Sequence, residues 1–299
     1  MRFVLVCTLL ILGCAPSKPA KEPARALDPD KPLRPPAVER IKQLLFPQIQ
    51  FPQRSLHVGM CCALPHGEGY RMWYTSNCAG GYHICWADFD REWEKTAESE
   101  GPCFTPGEKG TFDSSAVFMP CVVDPGAGDL RMYYAAHAEG PFPGKGSSAG
   151  VAVSRDGGLS WEKRRQTLKA DGDDAAGVGT QFVWQDENEW RMIYTHIVAE
   201  KKRYFMKFAR SLDGFTWERP SNNVALDLDS MSTSTRPCVF KHGPRYYMTY
   251  TCNRSDQSGY RIRFADSDDG WRFTDRGQIL GTDRTSQWDN KAVSYGWVL

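Results

Sequence analysis

The chain has 299 residues, 41% of them hydrophobic, and its 37 basic and 36 acidic residues leave a formal net charge of +1. The basic residues are scattered along the chain, so the sequence argues against a nucleic-acid surface and we expect no nucleic-acid partner. Aromatic residues make up 12% of the chain, a content that suits β-structure and also suits sugar binding.

The N-terminus has the pattern of an export signal. Arg2 is followed by an apolar stretch over residues 3–12 that is too short to cross a membrane. The sequence Ile-Leu-Gly-Cys that ends at Cys14 then resembles the bacterial lipobox, in which the cysteine becomes the lipidated first residue of the mature protein; an ordinary secretory signal is the alternative. We predict a lipoprotein signal peptide over residues 1–14 and lipidation of Cys14. The lipid would be the only membrane contact, at the outer membrane or periplasmic face of the cell envelope.

Residues 15–37 are rich in Pro, Lys and Ala and have no apolar period, which is typical of a flexible tether. The only helix-like stretch follows, over residues 38–45. We expect one folded domain over residues 38–299.

A short strand pattern, Arg-Met-aromatic-Tyr or a close variant, occurs four times in this domain. Its methionines are Met72, Met132, Met192 and Met248, spaced 60, 60 and 56 residues apart. A fixed period of this size indicates a repeat architecture. Each unit divides into four short strands rich in Val, Ile, Tyr, Phe and Trp, separated by Gly, Asp, Asn and Pro. Four strands in a unit of this length predict a propeller blade.

A turn of the form Ser-x-Asp-Gly-x-x-Trp, or a variant of it, follows the third strand of each repeat. We interpret its carboxylates, Asp156 and Asp213 among them, as acceptors of hydrogen bonds from backbone N–H groups of the same turn. The turn ending at Trp161 also resembles the Asp-box of sialidases, and a catalytic role for its aspartate is the alternative. The outermost strand of each blade is predicted beyond the turn, around residue 93 and over residues 161–163, 216–218 and 272–274.

A fifth unit begins at residues 288–295, and the chain ends at Leu299. The prediction is therefore an all-β, five-bladed β-propeller with four full blades and the start of a fifth. Either the reading frame is truncated or the ring closes incompletely.

These motifs together resemble the five-bladed propeller superfamily of arabinanases, levansucrases and invertases (glycoside hydrolase families 43, 32 and 68), over residues 55–299. The resemblance implies a site in the axial funnel, lined by residues just before and within the innermost strand of each blade. It implies two catalytic carboxylates, Asp113 and Asp289, because glycoside hydrolysis uses a pair about 5–5.5 Å apart for retention or about 6.5–9.5 Å apart for inversion. It implies substrate contacts at His57, Gln181, Arg236 and Lys291.

The chain departs from the pattern of that superfamily in three blades. Thr180 stands where blade three often carries an Asp, residues 232–234 stand where blade four often carries a Glu, and Asn290 and Lys291 follow Asp289. Three functions stay open: a glycoside hydrolase, a non-catalytic glycan-binding lipoprotein, and a sialidase-like enzyme, for which only Arg236 is well placed. A carbohydrate is the expected partner in each. Asp227 and Asp229, ahead of blade four, would supply a missing carboxylate if their loop folded inward, but a solvated loop is the favoured interpretation.

The sequence gives no sign of a metal or cofactor, since no Cys-x-x-Cys spacing occurs. Eight cysteines remain beyond the signal, an even number that permits disulfides. Cys62, Cys121 and Cys238 fall near one repeat position, which favours small buried hydrophobes instead. We interpret His137 and His196 as hydrogen-bonded histidines at strand ends.

Overall fold

The computed structural model describes residues 32–33, 58–78, 81–138, 146–198, 203–228, 232–254, 259–285 and 291–299. Cys14, the helix-like stretch at 38–45, His57, Asp229 and Asp289 lie outside the described residues.

Four antiparallel sheets of four strands each make up this part of the chain. The strands of the first two sheets are β1 (Val58–His66), β2 (Gly69–Cys78), β3 (Gly81–Phe89), β4 (Lys95–Glu98), β5 (Ala116–Val123), β6 (Leu130–His137), β7 (Ser147–Ser154) and β8 (Glu162–Leu168). Those of the other two are β9 (Val178–Asp186), β10 (Glu189–Val198), β11 (Arg203–Ser211), β12 (Val224–Leu226), β13 (Thr233–His242), β14 (Arg245–Asn253), β15 (Arg261–Ser267) and β16 (Thr274–Leu280). The described ranges contain a short 3₁₀ turn at Gly172–Asp174 and no α-helix, hence no helix of a length and apolarity that could cross a bilayer.

Each sheet is one propeller blade, and consecutive strands pair within it. The first strands, β1, β5, β9 and β13, contact one another around a central axis. The repeated strand motif lies on the second strands, and its Met and Tyr side chains are buried between the blades. The predicted all-β propeller is confirmed for four blades. A fifth four-stranded sheet is not present among the residues that the structure describes.

The predicted bounds of the outermost strands are wrong. The strand of blade 3 is β12, and of the predicted residues 216–218 only Glu218 pairs, through an isolated bridge to Arg210. The aromatic residue that suggested a strand there, Trp217, packs edge-on against Tyr133 of the preceding blade, with ring centroids 6.0 Å apart. It therefore fills the space between blades, and the outer strand forms further along the chain.

The turns have the structural role predicted for them. Asp213 Oδ1 accepts hydrogen bonds from the backbone N–H groups of Phe215 and Thr216, both at 2.7 Å, and Asp156 Oδ1 accepts from those of Leu159 and Ser160, both at 3.0 Å. These bonds hold the pKa of both carboxyl groups down, at about 2, against the opposing effect of burial.

The same turns join neighbouring blades. The arginine of the strand motif donates to a carbonyl in the next blade's turn: Arg71 to Gly157 at 2.9 Å, Arg131 to Asp213 at 2.6 Å and Arg191 to Asp269 at 2.8 Å. Gly158 takes a φ of 88° beneath the indole of Trp73, where an added Cβ would lie 2.2 Å from the ring. A side chain at that position would push the two blades apart.

Each innermost strand of blades 1, 2 and 4 is interrupted by a bulge. Met60, Met119 and Arg236 have φ values of 53°, 56° and 50°, and the pairing register shifts at each. A cysteine follows each bulge, and the thiol contacts the next blade: Cys121 Sγ lies 3.4 Å from the backbone N of Val183. The cysteines whose side chains the structure describes are free thiols, in agreement with the buried-hydrophobe interpretation.

Residues 291–299 repeat part of this arrangement next to blade 4. Tyr295 has a φ of 62°, and Val298 N donates to Cys238 Sγ at 3.3 Å, as Val183 N does to Cys121 Sγ. The indole of Trp297 donates to the carbonyl of Ala63 in blade 1 at 2.9 Å. The segment therefore links blade 4 to blade 1. The backbone N of Leu33, a residue within the predicted tether, donates to the Tyr247 hydroxyl of blade 4 at 2.9 Å.

Candidate functional site: the axial funnel

One end of the propeller carries the starts of the first and third strands and the ends of the second strands. Three tyrosines take the same repeat position there. Tyr82 pairs with Asn77, and Tyr204 pairs with Ile197. Asn77 and Ile197 each lie three residues beyond the buried tyrosine of their strand motif. Tyr260 directly precedes β15 and takes the same position in blade 4. All three are half-buried. The repeat therefore brings aromatic rings from blades 1, 3 and 4 to one end of the axis.

These rings gather around Tyr295. Burial raises the pKa of the Tyr295 hydroxyl well above its usual range; Tyr260, Tyr204 and Tyr82 raise it further and Arg236 lowers it. Phe118 of blade 2 completes the group, with its ring centroid 6.0 Å from that of Tyr82. We call the region that Tyr82, Phe118, Tyr204, Tyr260 and Tyr295 occupy the axial funnel.

Arg236 forms the floor of the axial funnel. Its side chain is 1% exposed, and Nη2 donates to the carbonyls of Cys61 at 2.7 Å and Pro120 at 3.0 Å, in blades 1 and 2. The guanidinium lies 5.9 Å from the ring centroid of Trp297. Because the arginine starts on blade 4 and reaches two other blades, it crosses the axis. Its Nε and Nη1 have no hydrogen-bond partner.

Gln181 lies next to this floor. The backbone N of Arg236 donates to Thr180 Oγ1 at 3.0 Å, and Gln181 is the following residue. Gln181 is 1% exposed, and neither its amide nitrogen nor its amide oxygen has a partner. The Thr180 hydroxyl also contacts the hydroxyls of Thr195 at 2.8 Å and Thr235 at 3.2 Å. Of the predicted substrate contacts, Arg236 therefore lies at the axis, and Gln181 is the neighbour in the chain of a residue that the Arg236 backbone contacts.

Asp113 lies in a different environment, inside blade 2. Its carboxylate is 1% exposed and accepts hydrogen bonds from Tyr134 at 3.0 Å, Thr111 at 2.9 Å and Lys163 at 2.6 Å. None of these residues contacts Arg236. Tyr134 is the tyrosine of the repeated strand motif in blade 2.

Blades 3 and 4 contain the same kind of network, in which the motif tyrosine and a lysine or arginine both donate hydrogen bonds to one carboxylate. Asp174 accepts from Tyr194 at 2.8 Å and from Lys207 at 3.0 Å, and Asp275 accepts from Tyr250 at 2.7 Å and from Arg263 at 3.1 Å. Recurrence from blade to blade indicates a structural role. The catalytic role of Asp113 stays a prediction.

The hydrogen bonds around Asp174 lower the pKa of its carboxyl group. Burial opposes this shift, and bonds from His196, Tyr194 and Lys207 outweigh it. His196 Nδ1 lies 2.6 Å from Asp174 Oδ1, as expected of a strand-end histidine with a partner. His137 is buried too, with Nδ1 3.4 Å from the Ser147 hydroxyl.

The remaining predicted residues lie elsewhere or outside the described residues. Lys291 is exposed. Asp227 is exposed and pairs with Arg203. His57 and Asp289 are not described, and their roles stay predictions. The described residues include no group of His, Cys, Asp and Glu that could hold a metal ion.

The tyrosines of the funnel were missed in the sequence. The sequence holds a signal for two of them, because Tyr204 and Tyr260 each follow the motif tyrosine of their repeat by ten residues, whereas Tyr82 follows Tyr74 by eight.

No family model and no curated protein matches the chain. Several solved structures match the chain. One described as a glycoside hydrolase is 17% identical, covering 83% of this chain and 80% of its own, with a TM-score of 0.68. An endo-1,4-β-xylanase from Bacteroides thetaiotaomicron is 15% identical over 82% and 84%, with a TM-score of 0.64, and a thermostable family-43 glycoside hydrolase is 18% identical over 76% and 75%, with a TM-score of 0.56. The chain is thus similar in fold to propeller glycoside hydrolases, as its motifs predicted. At such identities the likeness concerns the fold and not the chemistry.

Proposed function

We propose that this protein is a carbohydrate-binding β-propeller that holds a sugar in the axial funnel. The observation that carries the proposal is the column of tyrosines from blades 1, 3 and 4, joined by Tyr295 and Phe118 around the axis. Ligand pockets are lined mainly by aromatic and apolar side chains with a few placed polar groups, and this funnel has both. A tyrosine offers an apolar face to a sugar ring and a hydroxyl to its polar edge.

The surroundings of the carboxylates favour a protein that binds a sugar and does not hydrolyse it. A glycosidase needs a general acid with a raised pKa. Asp113 and Asp174 are each held by a cation and a tyrosine hydroxyl, and the pKa of Asp174 is lowered. The lowered pKa of Asp174 keeps that carboxylate ionised, which does not suit it to donate a proton to a leaving group.

Isothermal titration against a panel of soluble oligosaccharides tests the proposal. Tyr204→Ala and Tyr82→Ala should each weaken binding by about fivefold to a hundredfold while the protein stays folded. Tyr70→Ala is the matched control, because Tyr70 is also half-buried but lies at the opposite end, where it stacks on Trp93 at 4.4 Å. Equal losses in all three variants would contradict a site in the funnel.

Hydrolysis is the second candidate, and it depends on Asp289. Turnover of aryl glycosides that Asp289→Asn abolishes would establish an enzyme. Turnover that survives both Asp113→Asn and Asp289→Asn would place the chemistry elsewhere.

The finer architecture belongs to the same proposal. Residues 291–299 would be the innermost strand of a fifth blade, supported by the bulge at Tyr295 and the thiol contact of Val298. A crystal structure in which residues 291–299 pair with further strands as a fifth sheet would establish the five-bladed ring.

The protein would act at the cell envelope, anchored by lipid on Cys14. The lipobox-like sequence supports this part of the proposal. Cys14→Ser should release the protein from the membrane fraction or block its processing. Unchanged processing and membrane association of that variant would rule out the anchor.

A further inference from the structure

Arg236 differs from every other buried cation in the described part of the chain. Four lysine or arginine residues are buried there: Arg71, Lys207, Arg236 and Arg263. Three have a carboxylate partner, Arg71 with Asp88 at 2.7 Å, Lys207 with Asp174 at 3.0 Å and Arg263 with Asp275 at 3.1 Å. Arg236 makes no ion pair in the described residues.

A buried charge without a counter-charge is costly, because it loses its hydration and gains no Coulombic partner. The carbonyls of Cys61 and Pro120 satisfy only Nη2 of Arg236. One N–H on Nε and two on Nη1 stay without an acceptor. An arginine cannot avoid this cost by losing its proton, since its pKa lies far above neutral pH. The side chain is therefore short of a negative partner.

Two neutral polar residues whose backbones neighbour Arg236 also have side chains without partners. Gln181 follows Thr180, whose hydroxyl accepts from the backbone of Arg236, and Ser234 precedes Arg236 by two residues on β13. Gln181 is 1% exposed and Ser234 is 2% exposed. Neither the Gln181 amide nor the Ser234 hydroxyl has a hydrogen-bond partner. An amide N–H and a hydroxyl can both donate to an anion. The free donors at the floor of the funnel thus outnumber the free acceptors.

We propose that Arg236, with Gln181 and Ser234, forms a subsite for a carboxylate, and that the sugar in the axial funnel is acidic. The inference rests on the proposed function. The tyrosines would hold the sugar ring and Arg236 would hold the acidic group, because Arg236 is close enough to Tyr295 to act on its hydroxyl. Charge-assisted hydrogen bonds from a guanidinium to a carboxylate are among the strongest in proteins.

Two matched glycosides test the subsite. Methyl glucuronide and methyl glucoside differ only in a carboxylate against a hydroxymethyl group, and titration of each into the full-length protein at pH 7 measures the value of the charge. The glucuronide should bind more tightly by about tenfold to a hundredfold. Arg236→Gln should remove this difference, and Gln181→Ala should reduce it. Arg155→Gln is the control, since it also removes one positive charge but from a side chain that is 63% exposed.

The outcomes separate the subsite from the proposed function. Equal binding of the two glycosides to the unmodified protein overturns the subsite and leaves the proposed function standing, even if Arg236→Gln does not fold. If neither glycoside binds but sodium acetate raises the melting temperature more in the unmodified protein than in Gln181→Ala, the sugar is overturned and an Arg236 site for small anions is supported. If acetate and both glycosides have no effect, the subsite and the proposed function both fail.

Discussion

Lys207 in blade 3 and Arg236 at the axis are both buried cations, yet their surroundings are opposite. Lys207 donates to Asp174, a carboxylate that also accepts from Tyr194 and His196. Arg236 has two carbonyls and no carboxylate. A buried charge with all its partners supplied by the chain contributes to the fold, whereas one with donors left over is the place to look for a ligand.

Acid should destabilise sites in which a carboxylate is paired, such as that of Lys207 and Asp174, and should not affect the site of Arg236. This is the largest effect that we expect. The pKa values of Asp156 and Asp213 are lowered to about 2, and that of Asp174 is lowered too. A carboxyl group with a pKa below its unfolded value stabilises the fold above that unfolded value, and its contribution is lost as the pH falls through the folded pKa. The free energy of unfolding in urea should therefore stay level down to about pH 4 and fall steeply below it.

Substitutions test which residues cause this loss of stability in acid. Asp174→Asn should make the decline below pH 4 shallower, because it removes one depressed carboxyl group. Arg236→Met should leave the slope unchanged, since a guanidinium does not titrate there. A change of slope in Arg236→Met would contradict the contrast between the two sites.

At pH 7, Asp174→Asn should lower the free energy of unfolding by about 3–5 kcal/mol, because it leaves Lys207 buried without a counter-charge. Urea denaturation measures the loss. Asp171→Asn is the matched control: it removes the other carboxylate that pairs with Arg219, but one whose side chain is 52% exposed, and should cost about 0–1 kcal/mol. Equal losses would show that the network of Asp174 does not stabilise the fold.

Arg236→Met should cost less, about 1–2 kcal/mol in a buffer of low anion content, since only the hydrogen bonds to two carbonyls are lost. The comparison is Arg263→Met, which should cost more, up to about 3–5 kcal/mol, because the partly buried Asp275 is left without its cation. A larger loss for Arg236→Met than for Arg263→Met would mean that Arg236 is primarily a structural residue.

Asp213→Ala should have the smallest effect, on the order of 1 kcal/mol, because its turn hydrogen bonds lie at a surface that water reaches. Leu212→Ala is the control within the same turn, since Leu212 is 88% exposed and should change the melting temperature little. If Asp213→Ala kept its melting temperature and lost ligand binding, the structural role of the turn would be wrong.

The sequence predicted the blades because one pattern serves the same purpose in each. The methionine and tyrosine of the strand motif are buried between blades, and the turn aspartates bind their own backbone, so both roles are local and recur with the repeat. The outermost strands were misplaced because Trp217, which looks like part of a strand, packs against Tyr133 of another blade. Packing between blades is not visible in the spacing along one of them.

The candidate site was predictable only in part. Arg236 and Gln181 follow from their place on the innermost strands, and the backbone of Arg236 bonds to Thr180, the residue before Gln181. Asp113 has the same kind of position and lies instead in a network with Tyr134 and Lys163, a residue 50 positions away that no local pattern connects to it. Whether a carboxylate is paired depends on side chains from other strands, and the sequence does not give those pairings.

The sequence by itself determined the repeat, the four-stranded units and the propeller class, because period, strand composition and turn chemistry are properties of short segments. Only the tertiary structure decided which polar residues are satisfied. The charges of Asp113 and Asp174 are matched by cations from neighbouring strands, whereas Arg236 crosses an axis where three blades meet and finds only carbonyls. Electrostatic pairing acts through space over a few ångströms, and closure of the ring sets those distances.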